Sequence, residues 1–398
     1  MGAGVCHPTA HRQRYSGWKN RLSGRGGLLN RVQTMSKDTS RYVAHLDNLG
    51  GRVLLGCDGF VDEVYQIVDI RKNLAEFTPL DDMRIFGELV AKRSGGGLGL
   101  EIVPKRRCSG GFTPNTGRIP AFLGLKPTLV GLYGHEKIDP AFEEFTENCN
   151  LVSLGNSAVT LVFEFSNGKV LLSDLKSVAN FTWKDFVASF PGSKMAGLFA
   201  DVDILGLGYW SLTPDFDNFL TGMVSQYTAA KPPRRMFFDF ADIKKKANES
   251  FFESLQLMRS FNGKIPMTMS LNEHEGAELL SRFGVACKAD PQAMASDLAT
   301  VRKEIGIDEL VIHTPHFAVA STASEGEGVA MQAFQKNVIR TAGAGDSFNG
   351  GYVSASLGSL NLKERLVVAN AATAFFVTHA TAPTKQELIE QIGKAEDC

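Results

Sequence analysis

The sequence predicts an α/β fold: a parallel sheet sandwiched between helices on both faces, with a small accessory β-sheet attached. Three observations point there. Short, nearly continuous apolar runs recur along the chain and stop at glycine or polar residues, as strands covered on both faces do. Stretches with helical spacing alternate with those runs. One alternating strand pair with an Asn-Gly turn, "AVTLVFEFSNGKVLLSD", breaks the rhythm and reads as a hairpin outside the main sheet.

Composition supports a folded chain and excludes some partners. The 398 residues are 43% hydrophobic and 21% charged, enough apolar material for a sizeable core. A formal net charge of −1 provides no field suited to nucleic acid or to an anionic membrane, so neither partner is expected. No apolar run approaches the ~20 residues needed to cross a bilayer. The cysteines (Cys6, Cys57, Cys108, Cys149, Cys287 and Cys398) are scattered without a CxxC pair, which reads as reduced thiols in the cytoplasm.

The elements follow in order. Residues 1–36 carry Arg12, Arg14, Lys19, Arg21, Arg25 and Arg31, with no acid before Asp38. Such a start suits organelle import, or equally an added or mis-assigned leader. Residues 1–40 are therefore expected to be a disordered basic leader, and residues 50–392 the folded domain. "RVLLGCDGFVDEV" is the first strand, ending in acids. "KRSGGGLGLEIVPKRRC" lacks the helix that must follow a dinucleotide-binding glycine turn, and suits the accessory sheet instead. "TPNTGRIPAFLGL" reads as helix. "KPTLVGLYG", "VDILGLGYWSL", "RRMFFDFAD", "IPMTMSLNEHE" and "ELVIHTP" read as buried strands. "NEHEGAELLSRFG" and "DPQAMASDLATVRKEIG" are helices, the second with Pro near its start and Gly at its end. Ligands of such sheets bind beyond the carboxyl ends of the strands.

"RTAGAGDSFNGGY", from Arg340 to Tyr352, gathers glycines around Asp346. A β-like segment, "AFQKNVIRT", is expected to lead into it and a helix to follow. Gly343 and Gly345 would shape the turn, whereas Gly350 and Gly351 would permit close helix packing. A glycine turn at a helix start exposes unpaired N–H groups at the positive end of the dipole, a ready anion site. Asp346 in the first turn could take a proton from a hydroxyl held against a bound phosphate, or could simply cap the helix.

Together these motifs resemble the ribokinase/PfkB-type carbohydrate kinases. Arg340-Thr341-Ala342-Gly343-Ala344-Gly345-Asp346 matches the family's D-T-x-G-A-G-D signature at every fixed place except the first. "GGFTPNTGRIPAFLG" matches its N-terminal signature through Gly110, Gly111, Asn115 and Gly124. "SLNEHEGAELL" supplies the N-x-x-E motif as Asn272 and Glu275, and "VVANAATAFFV" resembles the late nucleotide-pocket helix through Asn370. The motifs occur in family order from about Arg52 to Ile389.

The resemblance implies phosphoryl transfer from ATP to a hydroxyl of a sugar or polyol. Asp346 would be the general base, with Gly343, Ala344 and Gly345 as the anion hole. Asp62, with Asp58 as its rival, would bind the substrate together with Gly110, Gly111 and Asn115. Asn272 and Glu275 would organise Mg²⁺ through water, although a capping Asn with Glu three residues on is the alternative for that pair. Thr314, Thr341 and Asn370 fall to the nucleotide. Lid segments at about residues 63–108 and 156–182 would close over the sugar, and a homodimer through the lid is expected. A nucleoside or vitamin kinase, or a non-catalytic sensor on the same fold, are the rival readings.

Two departures stand out. Arg340 replaces the Asp that helps hold a monovalent cation in related kinases, so no potassium activation is expected. "IHTPHFAVA" puts Pro315 and His316 where a T-x-G turn would meet the nucleotide phosphates; His313 and His316 read as pocket-wall residues.

Overall fold

The computed structural model describes residues 39–230, 234–261, 263–333 and 335–396. The expected leader at residues 1–36 lies outside them. The strands run in chain order as β1 (Val53–Gly56), β2 (Phe60–Arg71), β3 (Phe77–Pro79), β4 (Ile102–Gly110), β5 (Thr128–Gly131), β6 (Asn150–Ser153), β7 (Ala158–Phe165), β8 (Gly168–Asp174), β9 (Ile204–Gly208), β10 (Arg235–Asp239), β11 (Met267–Asn272), β12 (Glu309–His313), β13 (Phe317–Thr322) and β14 (Gly326–Met331).

The main sheet has the order β14-β13-β12-β11-β10-β9-β1-β5-β6. It is parallel from β12 to β6, and β13 and β14 extend it antiparallel. Every residue of β1 and β9 is buried, which explains why these strands read as unbroken apolar runs. Alternation sends Leu54 into the apolar layer on one face, and Val53 and Leu55 into the layer on the other. Parallel register brings the strand ends together at one edge. Gly56 pairs with Leu207, Asp239 with Gly208, and Asn272 with His313. The fold is thus α/β, as the apolar runs and interleaved helices predict.

A second, five-stranded sheet has the order β3-β2-β7-β8, with β4 also on β2, and contains the segments expected to form a lid. Its β7–β8 hairpin turns through Ser166 and Asn167, with Phe165 paired to Gly168. The segment expected as one strand ending in acids divides in two. β1 stops at Gly56, and after Asp58 the chain enters the 12-residue β2, which carries Asp62 into the second sheet. The described residues from Arg41 onward belong to one compact unit.

One element is corrected. The described residues of "AFQKNVIRT" form no strand. The N–H groups of Ile339 and Arg340 donate instead to the Val377 carbonyl, at 2.8 and 3.1 Å, tying the segment to the end of the Leu362–His379 helix. A helix end offers unpaired carbonyls, and they compete here with strand pairing.

Candidate active site

The glycine turn begins with Gly343, whose φ of +84° is left-handed, a conformation glycine adopts without strain. It is the N-cap of the Ala344–Ala355 helix, so Asp346 falls in the first turn. The Ala344 N–H is held by the Thr341 carbonyl at 3.1 Å and braces the turn. Gly345 has little room for a side chain, since a Cβ there would lie 3.2 Å from His313 Cε1.

The Asp346 carboxylate is buried and accepts a 3.0 Å hydrogen bond from Asn115 Nδ2. Asn115 Oδ1 in turn accepts from Arg118 at 3.1 Å, and Arg118 pairs with Glu144 at 2.7 Å. This chain fixes the amide so that it donates to Asp346. Burial pushes the Asp346 carboxyl well above the ordinary carboxylate range, repulsion from Asp239 adds to the shift, and the Asn115 bond opposes it.

The two rival carboxylates occupy different environments. Asp58 accepts from the Phe112 and Thr113 N–H groups at 2.6 and 2.8 Å, capping the Phe112–Phe122 helix. Gly111 (φ +102°) makes room for it, because a Cβ there would lie 2.6 Å from Asp58 Oδ2. Asp62 has no hydrogen bond or ion pair among the described residues. Its carboxylate lies against Gly110, where a Cβ would come within 2.6 Å of Oδ1. Burial raises its pKa to about 6, against the pull of Arg340, Lys169 and Arg106.

Asn272, Thr314, Thr341, Ala344, Gly345 and Asn370 line a single cavity of about 510 Å³ at the carboxyl ends of β11 and β12. His313, Pro315 and His316 also line it. His313 stacks on Phe348 with centroids 4.5 Å apart, and burial lowers its pKa to about 4, so the ring is neutral. Thr314 Oγ1 accepts from the His316 and Phe317 N–H groups, which shapes this turn without a glycine. Asn370 donates to the Ala330 and Met331 carbonyls, anchoring β14 to its helix.

Asn272 and Glu275 form a reciprocal capping box: Asn272 Oδ1 accepts from the Glu275 N–H at 3.0 Å, and Glu275 Oε2 from the Asn272 N–H at 2.9 Å. Burial, and then Asp239, push the Glu275 carboxyl upward. Asp239, which the sequence reading did not single out, ends β10 among these acids. It accepts from Asn349 Nδ2 at 2.7 Å and from the Ala241 N–H at 2.8 Å, and burial raises its own pKa. Its place at the carboxyl end of "RRMFFDF" is the signal that could have found it. No group of three or more His, Cys, Asp or Glu side chains is poised to hold a metal among the described residues.

The sequence pattern of the prokaryotic ketohexokinase family matches residues 35–394. A ketohexokinase from Haloferax volcanii is 26% identical over 343 residues, covering 85% of this chain and 90% of the relative. Among solved structures, an Arabidopsis thaliana ribokinase complexed with ribose and ATP aligns with a TM-score of 0.59 at 15% identity, covering 86% of this chain and 98% of its own. A Cryptococcus neoformans ribokinase in complex with ADP aligns with a TM-score of 0.57 at 16% identity, covering 86% of this chain and 100% of its own. These likenesses give a ribokinase fold, and the chain belongs to the prokaryotic ketohexokinase family of carbohydrate kinases.

Proposed function

We propose that this protein transfers the γ-phosphoryl group of ATP to a hydroxyl of a sugar or sugar derivative, with Asp346 as general base. The observation that carries the reading is the position of Asp346. It is a buried carboxylate in the first turn of a helix opened by a left-handed glycine, directly after Ala344 and Gly345, which line the cavity of about 510 Å³. The ribokinase relatives that hold ribose with ATP, or ADP, support nucleotide use.

In this reading the acceptor hydroxyl gives its proton to Asp346 while its oxygen forms the new bond to the γ-phosphorus. The bond from that phosphorus to the bridging oxygen breaks, and ADP leaves. Gly343 and Gly345 let the turn approach the moving phosphoryl group, and the helix dipole favours its charge. A raised pKa makes Asp346 a stronger base once ionised. Asp62 would accept hydrogen bonds from sugar hydroxyls, and Asn115 holds Asp346 in place.

The residues fit Mg²⁺. Glu275 and Asp239 are hard oxygen donors that repel one another, and an ion that keeps most of its waters needs only one or two carboxylates. Glu275, with Asn272 behind it, would hold the ion through water, and the charge it supplies neutralises the phosphates. Arg340 occupies the place of the cation-binding Asp, and the protein is proposed to act without potassium. No helix among the described residues is long and apolar enough to cross a membrane. Cytoplasmic action and a homodimer through the lid complete the reading; Ile70, Leu171 and Leu172 leave apolar side chains exposed on the lid strands.

ADP release with ATP, Mg²⁺ and a panel of sugars, nucleosides and vitamins tests the function. Asp346→Asn should abolish transfer and retain nucleotide binding; substantial turnover in that variant would refute the assignment.

A further inference from the structure

Thr314, Thr341 and Asn370, which are expected to meet the nucleotide, line the cavity of about 510 Å³. Its described lining residues include no lysine or arginine; the basic side chains are His274, His313 and His316. Without a fixed side-chain cation, a phosphate chain held there depends on hydrogen-bond donors and on the helix start. The turn from Thr314 to Phe317 has no donor left to give. The Thr314 N–H donates to the Phe317 carbonyl at 2.8 Å, and the His316 and Phe317 N–H groups donate to Thr314 Oγ1. Pro315 has no N–H, and the Thr314 hydroxyl donates to the Phe317 carbonyl at 2.9 Å. In the glycine turn the Ala344 N–H is likewise taken, by the Thr341 carbonyl.

His313 is placed differently. It ends β12, where its backbone is held between Asn272 of β11 and Ala318 of β13. Its ring stacks on Phe348 of the Ala344–Ala355 helix, with centroids 4.5 Å and planes 27° apart. The ring edge formed by Cε1 and Nε2 faces Gly345: a Cβ on that glycine would lie 3.2 and 3.7 Å from the two atoms. Neither ring nitrogen has a hydrogen-bond partner among the described residues, yet the ring borders the cavity. His274 and His316, by contrast, are exposed to water. Burial keeps the His313 ring neutral, with one N–H to donate and one nitrogen to accept. A polar ring held by its strand and by Phe348, partly withdrawn from water and unpartnered, is unfavourable unless a ligand completes it.

We propose that His313 is a nucleotide-binding residue of this chain, its imidazole N–H donating to an oxygen of the phosphate chain where that chain meets the glycine turn. The side chain thereby replaces the backbone donors that Thr314 and Pro315 remove from the neighbouring turn. Stacking on Phe348 aims the ring before the ligand arrives, so little side-chain freedom is lost on binding. The hydrogen bond to a charged oxygen is of the stronger kind. This deepens the kinase reading and rests on its assignment of the cavity to ATP.

The test measures binding of three probes to the full chain by calorimetry: adenosine, ADP and the non-hydrolysable ATP analogue AMP-PNP, with Mg²⁺ and without a sugar. His313→Phe keeps a ring against Phe348 and removes the donor. It should weaken AMP-PNP by about tenfold or more while changing adenosine by less than about twofold. His313→Gln, which retains an amide donor, should recover part of the loss. ADP then locates the contact: an equal loss for ADP puts it on the β-phosphate, and a loss confined to AMP-PNP on the γ-phosphate. His313→Leu repeats the comparison with a smaller side chain, and adenosine binding reports that each variant is folded. Unchanged AMP-PNP affinity in the Phe and Leu variants overturns the proposal. An equal loss of adenosine also overturns it, because the ring would then be a wall of the cavity and not a phosphate contact. Wild-type protein that binds none of the three probes removes the ATP reading itself and the proposal with it, whereas wild-type binding that the variants retain removes the proposal alone.

Discussion

The amide of Asn115 crosses 231 positions of sequence to donate a 3.0 Å hydrogen bond to the Asp346 carboxylate. That bond favours the ionised form, against burial and against Asp239. Asn115→Leu should therefore raise the Asp346 pKa further. If Asp346 is the base, as proposed, it must be ionised, so activity should fall as pH falls through this pKa and the variant's acid limb should move to higher pH. A hydrogen bond to a charged group contributes about 1.5–3 kcal/mol, so kcat/KM at pH 7 should drop about 10- to 100-fold and recover partly in alkali. A pH profile of kcat/KM checks this; an unshifted acid limb contradicts it.

Asp58 and Asp62 should separate stability from activity. Asp58→Ala strands the Phe112 and Thr113 N–H groups at a buried helix start, which costs about 2–3 kcal/mol. Asp62→Ala removes a desolvated carboxylate that has no hydrogen bond, so the fold should be as stable or more so while turnover falls about 100-fold. Denaturant melts paired with ADP-release assays distinguish the two, and the reverse pattern would exchange their roles.

Much of this was legible in the sequence, for identifiable reasons. β1 and β9 are buried on both faces and leave unbroken apolar runs, and the β7–β8 hairpin carries its own turn chemistry. Thr341, Ala344 and Gly345 are adjacent in a spaced motif, and the cavity they share with Asn272 and Asn370 follows from strand ends meeting at one edge. Asp239 was not legible as a partner of Asp346, because one acid after an apolar run has no spacing to read. The Asn115–Arg118–Glu144 chain was equally hidden: its contacts depend on how the Phe112–Phe122 helix packs, which no local pattern encodes. "AFQKNVIRT" misled because its composition suits a strand, while its N–H groups are taken by a helix end.

The acid cluster gives the ligand-free protein a definite pH response. Glu275 has a folded-state pKa above its unfolded value of ~4.3, with burial as the leading cause and Asp239 next. The native state then holds a proton that the unfolded chain releases, so its contribution is full below ~4.3 and is lost as pH rises toward the raised value. Glu275→Gln keeps an acceptor for the Asn272 N–H but does not titrate. Its melting-temperature advantage over the wild type should be small near pH 5 and larger by about 2 °C or more at pH 8. His313, neutral and lowered to about 4, acts in the opposite direction only below ~6.5 and cancels in this comparison. Calorimetry across that range is the check; a variant less stable at pH 8 than at pH 5, relative to wild type, would contradict it.

Gly350 tests the packing of the Ala344–Ala355 helix without replacing a proposed site residue. A Cβ there would lie 2.4 Å from the Thr116 carbonyl oxygen and 2.8 Å from Ile119 Cβ, so the Ala344–Ala355 helix could not stay seated on the Phe112–Phe122 helix. Replacing glycine by alanine in an open helix gains up to ~1 kcal/mol, whereas overpacking costs about 1–3 kcal/mol. Gly350→Ala should therefore destabilise, lowering the melting temperature by several degrees. Gly393→Ala is the control, because it lies in the Lys385–Glu396 helix with nothing within 4 Å of its Cβ, and it should stabilise slightly. Since Asn115 and Asp346 sit on the two helices that Gly350 brings together, the same variant should also lengthen their hydrogen bond and lower kcat. A Gly350→Ala protein with wild-type melting and wild-type kcat would show that the helices can part without cost, and that their close approach is not what aligns the base.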